Sequence, residues 1–321
     1  MYNEKIRTIF LGTPDFAAKS LEALISSENF EVVAIITQPD KKIGRHQELL
    51  PPPIKKIALR HKILVYQPEK IRTEVEKIKE LNPDLIVVTA YGQIIPPAIL
   101  AIPKFGCINV HGSLLPQYRG AACLQAPILN GNRYSGVTIM KMDAGLDTGP
   151  ILKKAKIKLD KDETVETLHD KLSELGGKTL IPTLLKYCAG KIKPKAQNNR
   201  RASYVKMLKK DDGHIDWNMP AHKIEKMVRA LNPWPGTYSH LTCSALKINS
   251  VLFKILSARP KIVKVKQHIP GEIFNHIGAL AVKCGDGKAL IVSKLQLEGR
   301  KAMEVDEFLR GNQGIYGSIL K

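Results

Sequence analysis

The chain has 321 residues, 44% of them hydrophobic, which exceeds one ordinary domain and suffices for a core in each of two. With 50 Lys and Arg against 30 Asp and Glu, the formal charge is +20. So large an excess points to a polyanionic partner, nucleic acid ahead of membrane because no basic amphipathic anchor accompanies it. The cysteines, at 107, 123, 188, 243 and 284, are odd in number and far apart, without a Cys-x-x-Cys pair or clustered histidines, which argues against a disulfide framework and a zinc site. Reduced thiols, no metal, no membrane span and a cytoplasmic location are expected, since Met1 to Lys5 leads directly into an apolar run without a leader-like segment.

From residue 6 onward, apolar runs and amphipathic stretches alternate. The spacing predicts strands over 6–11, 32–37, 63–66 and 85–89, with helices over 17–26, 54–61 and 69–81 between them. That rhythm implies an α/β domain with a doubly wound, mostly parallel sheet. Strands over 106–111 and 136–142, a helix over 120–130 and a long helix over 164–187 complete a first domain, 1–188. Gly12-Thr13-Pro14-Asp15-Phe16 stands where a dinucleotide fingerprint would but lacks its glycines, so NAD is not expected; a tight turn capped by Asp15 and a ligand contact read equally well. Residues 189–207 read as a basic linker, because Lys186, Lys191, Lys193, Lys195, Arg200, Arg201, Lys206, Lys209 and Lys210 follow one another with no acid among them. Beyond it, a helix over 221–231 and short apolar runs over 237–242, 246–248, 251–256, 271–277, 279–284 and 289–297, separated by Gly, Pro and Asn, predict a small β-barrel over 208–321.

The chemistry-bearing residues concentrate in Asn109-Val110-His111-Gly112-Ser113-Leu114-Leu115-Pro116 and Asp143-Ala144-Gly145-Leu146-Asp147-Thr148-Gly149. Asn109 and His111 are two residues apart and so emerge on one face of a strand. The glycine-rich second turn can deliver a carboxylate to that face, with Asp143 readable as site or as turn. A carboxamide donor beside an acid-held imidazole suits direct acyl transfer to an amine: the amine loses a proton, the acyl oxygen becomes an oxyanion, and the leaving nitrogen gains a proton. Ser113 reads as a turn residue rather than a nucleophile.

Asn-x-His-x-Ser-Leu-Leu-Pro-x-x-Arg-Gly followed by Asp-x-Gly-x-Asp-Thr-Gly resembles the 10-formyltetrahydrofolate-dependent formyltransferases. Gln38-Pro39-Asp40, Tyr91-Gly92-Gln93, Ile215-Asp216-Trp217, the run from Arg229 to Gly236, and Leu295-Gln296 extend the resemblance over nearly the whole chain. It implies a Rossmann-like catalytic domain, an OB-like C-terminal barrel, and transfer of a formyl group from 10-formyltetrahydrofolate, as co-substrate, to the α-amino group of methionyl-initiator tRNA for translation initiation. At the matching positions Asn109 would bind the formyl oxygen, His111 would be the acid/base group, and Asp147 would orient it and balance its charge. The folate would lie against Tyr91, Gly92, Gln93, Ile94, Ile95, Pro96, Ser113, Leu114, Leu115, Pro116 and Asp143. The tRNA would contact Lys41, Lys42 and Arg45 of the loop 39–53, and Lys193, Lys195, Arg200, Arg201 and Lys206 of the basic stretch. A monomer is expected, and Leu115-Pro116 is a cis bond in the family.

Three places depart from the family pattern: Cys123 stands where proline is usual, Lys141 where glutamine is common, and Gly44-Arg45-His46-Gln47 carries less glycine and lysine. Two other readings compete. A formyltetrahydrofolate hydrolase-like or sugar-nucleotide formyltransferase shares the catalytic domain, but the basic stretch and second domain argue against it. An RNA-binding protein with a disused enzymatic domain would not be expected to retain Asn109, His111 and Asp147 together.

Overall fold

A computed structural model describes residues 4–43 and 47–321, which form two compact units. The first takes in the chain up to Cys123 with Tyr134–Lys158 and Leu168–Val205; the second takes in Leu124–Arg133, Leu159–Thr167 and Lys206–Lys321. No helix among the described residues is long and apolar enough to cross a membrane.

The first unit is built on β1 (Ile6–Gly12), β2 (Phe30–Ile36), β3 (Val65–Tyr66), β4 (Leu85–Thr89), β5 (Cys107–His111), β6 (Tyr134–Lys141) and β7 (Ile151–Lys158), in the order β7-β6-β5-β4-β1-β2-β3. The five strands from β3 to β5 pair in parallel, while β6 runs antiparallel to both β5 and β7. The expected mostly parallel sheet is thus present, with an antiparallel edge. Strand alternation divides the core: Phe10, Leu85, Val87, Ile108 and Val110 pack with Leu180 and Leu184 of the helix Val165–Cys188, and Ile9, Leu11, Ile86, Val88 and Cys107 pack in a separate cluster. Asn109 and His111 share the phase of Cys107. They therefore belong to the second face, at the carboxyl end of a parallel strand, where open α/β sheets carry their ligands.

Several local differences from the sequence pattern have physical causes. Ile151–Lys158 is too lysine-rich to read as a strand, yet it pairs with β6 and exposes Lys153, Lys154, Lys156 and Lys158, as suits a sheet edge that must not recruit another. The helix expected over 69–81 is split into a 3-10 turn, Ile71–Thr73, and Val75–Glu80. Thr73 Oγ1 donates back to Lys70 O at 2.8 Å, and Gln93 Oε1 takes the Ile71 N–H at 2.8 Å, so side chains divert the backbone. The helix expected from 120 begins only at Gln125, because Arg119–Gly120 pairs in parallel with Tyr204–Val205. The loop 39–53 contains a hairpin of Lys41–Ile43 with Glu48–Leu50; Arg45 lies outside the described residues.

The stretch 189–207 is not a free linker. Up to Val205 it belongs to the first unit, and Lys195 exchanges two backbone hydrogen bonds with Ile151, at 2.7 and 2.9 Å. Composition sees the cations of this segment but not the backbone groups that fasten it.

The second unit contains β8 (Thr237–Cys243), β9 (Ile248–Lys264), β10 (Ile273–His276), β11 (Ala279–Lys283), β12 (Lys288–Leu297) and β13 (Ile319–Leu320), in the order β10-β11-β12-β9-β8-β13. The runs expected at 246–248 and 251–256 merge into β9, which shifts register repeatedly against β12 and so bends. An antiparallel bridge between Glu272 and Ile319, with Leu320 N–H donating to Gly271 O at 2.9 Å, rejoins the two edges. The ladder therefore returns on itself around a core of Trp217, Phe253 and Phe308 with Ile224 and Val228 of the helix Ala221–Leu231. Arg229 grips both oxygens of Glu225, at 2.5 and 2.9 Å, and Glu163 O at 2.7 Å, while Asn232 Nδ2 reaches Val228 O and Ile255 O. The run Arg229 to Gly236 thus serves as an internal staple.

Candidate active site

β5 is buried throughout and ends on His111. The chain then turns tightly: Ser113 Oγ donates to Gln117 O at 2.6 Å, while Thr138 Oγ1 on β6 donates to Ser113 O at 2.6 Å and accepts from Leu115 N at 3.1 Å. Leu115-Pro116 is cis. Ser113 and Leu115 are buried in this turn, so their contribution is to its shape. The turn carries Tyr118, in the left-handed region at φ 59°, with its carbonyl 3.0 Å from His111 Nε2. Because a carbonyl only accepts, Nε2 holds a proton in this arrangement. Nδ1 is then the nitrogen that faces Asp147 Oδ2, at 3.6 Å.

Asp147 sits at φ 53°, a conformation Asp tolerates better than most residues. Its Oδ2 accepts from Gly120 N at 2.8 Å, and its Oδ1 accepts from Asn109 Nδ2 at 3.4 Å. Two glycines of the motifs are explained by close approach: a Cβ on Gly149 would lie 1.9 Å from Lys141 O, and one on Gly120, at φ 100°, would lie 2.4 Å from Val205 O. Asp143 closes its own turn, its Oδ1 accepting from Gly145 N at 3.1 Å and Thr148 Oγ1 at 2.6 Å. The structure thus brings Asn109, His111 and Asp147 together in a nearly buried group.

The loop after β4 is fixed from behind. Tyr91 O accepts from Thr13 Oγ1 at 2.8 Å and Gln38 Nε2 at 3.3 Å, and Gln93 bridges Ile71 N and Glu69 O. Burial pushes the Tyr91 phenol up to about 12, and its oxygen has no hydrogen-bond partner among the described residues. Ile94 is 88% exposed, and Leu146 on the Asp147 loop is 61% exposed. Large apolar side chains left in solvent on two loops fit a flat, largely apolar ligand; Gly92 is exposed and Ile95 and Pro96 lie deeper. Asp40 receives Gln67 Nε2 at 2.6 Å and Lys55 Nζ at 2.8 Å, bonds that hold its carboxyl below the usual range. Asp15 takes the Phe16 N–H at 3.0 Å and meets His169 Nε2 at 3.2 Å, so both acids anchor turns.

Lys41, Lys42, Lys193, Lys195, Arg200, Arg201 and Lys206 are all exposed. The group that local pattern could not reveal surrounds Arg119, at 1% exposure the largest fully buried side chain among the described residues. Its Nε and Nη2 donate to Gln197 Oε1 at 3.2 and 2.8 Å, Nη2 also to Asn199 Oδ1 at 2.8 Å, and Nη1 to Tyr204 Oη at 2.8 Å. These partners stand 78 to 85 residues away in sequence, a separation at which periodicity carries no signal. Of the departures from the family pattern, Lys141 lies at the end of β6 and Cys123 is partly buried.

Comparison with known proteins identifies the family. Residues 4–184 match the formyl transferase family model, and residues 207–313 match the formyl transferase C-terminal domain. The methionyl-tRNA formyltransferase of Citrifermentans bemidjiense is 45% identical over 318 residues, covering 98% of this chain and 96% of the relative. That of Geobacter sulfurreducens is 46% identical over 310 residues, covering 95% and 94%. Among solved structures, an N-formyltransferase from Helicobacter canadensis in complex with folinic acid and dTDP-3-aminofucose superposes with a TM-score of 0.66 at 21% identity, over 89% of this chain and 98% of that one. HypX from Aquifex aeolicus in complex with tetrahydrofolic acid gives 0.65 at 16% identity, over 98% of this chain and 48% of that one. At such identities these two share the fold.

Proposed function

This chain belongs to the formyl transferase family, and from that premise we propose that it moves the formyl group of 10-formyltetrahydrofolate onto the α-amino group of methionyl-initiator tRNA. The observation that carries the chemistry is the set Asn109, His111 and Asp147, joined at 3.4 and 3.6 Å at the carboxyl end of β5. Support for the acceptor comes from relatives named for methionyl-tRNA at 42–46% identity over nearly the full length, from the second family domain and from the +20 charge.

Attack of the amine on the formyl carbon creates an oxyanion. Asn109 Nδ2 has two N–H groups, one directed at Asp147, and the other is the donor for that oxygen. Preorganised donation of this kind is worth about 3–4 kcal/mol. His111 Nδ1 takes the proton the amine must lose and returns it to the departing folate nitrogen. Its Nε2–H, held by Tyr118 O, stops the ring from turning, and Asp147 neutralises the imidazolium as it forms. The folate ring packs against Ile94, Leu146 and the backbone of 91–96, with Tyr91, Gly92, Gln93, Ile95, Pro96, Leu114, Pro116 and Asp143 shaping its surroundings. The exposed cations Lys41, Lys42, Lys193, Lys195, Arg200, Arg201 and Lys206 bind tRNA phosphates, and the protein acts as a cytoplasmic monomer.

The test is to supply 10-formyltetrahydrofolate with methionyl-tRNA, uncharged tRNA, free methionine or an amino-sugar nucleotide. Formylation confined to methionyl-tRNA is expected; formylation of the sugar alone would assign a different acceptor.

A further inference from the structure

A fully buried guanidinium ordinarily faces a carboxylate. Arg119 instead has neutral acceptors: the amide oxygens of Gln197 and Asn199 and the hydroxyl of Tyr204. All three come from the segment that composition reads as a linker. The guanidinium is a rigid planar fork, and by engaging Gln197 Oε1 with two nitrogens it settles which way that amide points. Gln197 Nε2 is thereby aimed at the Asp147 loop, where it donates to Asp147 O and Gly149 O, each at 2.8 Å. Gly120, next in sequence to Arg119, holds the other end of the same residue through Asp147 Oδ2. Asp147 therefore has its backbone and its carboxylate fastened from the Arg119 region, at a φ of 53° that surrounding structure must enforce.

The segment also braces the His111 side. Ser203 Oγ accepts from Tyr118 N at 2.9 Å and Ser203 N donates to Pro116 O at 3.2 Å, while Tyr118 O is the anchor of His111 Nε2. We infer that residues 197–205 are a third structural component of the catalytic centre, in which Gln197 is a positioning residue for Asp147 and Arg119 locks Gln197 in orientation. The inference rests on the formyl-transfer reading above.

Gln197→Glu separates anchoring from positioning. The carboxylate keeps, and charges, the acceptor that Arg119 uses, but it has no N–H for Asp147 O and Gly149 O. The segment should stay docked through Arg119, with Tm within a few degrees of wild type. The expected kinetic result is a fall in kcat on the order of 10- to 100-fold, the size that small misplacements produce, with KM for both substrates within about twofold of wild type. Arg119→Lys keeps the charge but loses the fork, and should lower kcat in the same manner. Because both variants act through one route, the double variant should be no slower than the slower single one. Amide hydrogen exchange across 145–150 should quicken in both variants.

Wild-type kcat with unchanged exchange in Gln197→Glu overturns the inference, as does a double variant whose losses multiply. Failure of the wild-type chain to formylate methionyl-tRNA would instead defeat the proposed function. In that event the exchange experiment still decides whether Gln197 holds the loop.

Discussion

Asp147→Asn removes a charge and one of two accepting oxygens, because the new NH2 stands where Oδ1 accepted from Asn109 Nδ2. Asn tolerates a left-handed backbone as Asp does, and its amide oxygen can still accept the Gly120 N–H, so the fold around φ 53° is retained. Beyond the long Asn109 bond at 3.4 Å, what disappears is the attraction that grows as His111 becomes an imidazolium. With Oδ2 at 3.6 Å from Nδ1 and an effective dielectric near 20, full charge on the ring is worth about 4–5 kcal/mol. The two side chains are only 7% and 15% exposed, so solvent screens this modestly. If half the charge has developed in the transition state, roughly 2 kcal/mol is lost; full development costs more than about 10³ in rate. Single-turnover formylation of methionyl-tRNA should therefore slow by about 50- to 3,000-fold, with Tm within a few degrees and tRNA affinity unaltered. Near wild-type turnover, or a loss of activity that merely follows a loss of folded protein, would refute the role given to the carboxylate.

His111→Ala and Asn109→Ala should each lower kcat on the order of 10²–10⁴ and 10²–10³ respectively while leaving filter-binding of tRNA unaltered; weakened tRNA binding in either would place that residue in the RNA interface. Gly149→Ala, whose Cβ would stand 1.9 Å from Lys141 O, should destabilise by about 1–3 kcal/mol in urea unfolding, and an unshifted midpoint would contradict the close approach. Replacing Lys193, Lys195, Arg200 and Arg201 by Gln should weaken tRNA binding and flatten its salt dependence by about 0.7–0.9 for each phosphate contact removed; the same change at Lys70, Arg72, Lys77 and Lys79 should do much less, and equal slopes would leave only a general positive field. The thiols of Cys107, Cys188 and Cys284 are pushed by burial up to about 12 from an ordinary 9.0. These folded-state values lie above the unfolded ones, so the stability they carry is intact below pH 9 and lost as pH rises toward 12. Urea midpoints should fall from pH 9 to pH 10, and a midpoint that rises would contradict that burial.

Local pattern made most of the first unit legible, because apolar runs such as 85–89 are buried on both faces of a parallel sheet and must be apolar throughout. It failed at Ile151–Lys158, where an edge strand needs lysines rather than an apolar run. The phase of Asn109 and His111 followed from two-residue periodicity, and the glycines of the second motif signalled a turn able to bring Asp147 back. Neither the approach of Gly149 to Lys141 O nor the Arg119–Gln197–Asp147 chain was legible. Both depend on through-space pairs, the latter between residues 78 apart, and Gln197 has no local feature to distinguish it from its neighbours. The cations of 189–207 were conspicuous for their charge, while the neutral Gln197, Asn199, Ser203 and Tyr204 among them fasten the segment.

In the proposed reaction Asn109, His111 and Asp147 direct a formyl group to an aminoacyl amine and not to water. Counting tetrahydrofolate released and formyl-methionyl-tRNA formed in the same reaction tests it most directly. One formylated methionine is expected for every tetrahydrofolate, with release falling to a trace when methionyl-tRNA is replaced by uncharged tRNA. Tetrahydrofolate appearing at the same rate with either RNA, and no formyl group on methionine, would contradict it.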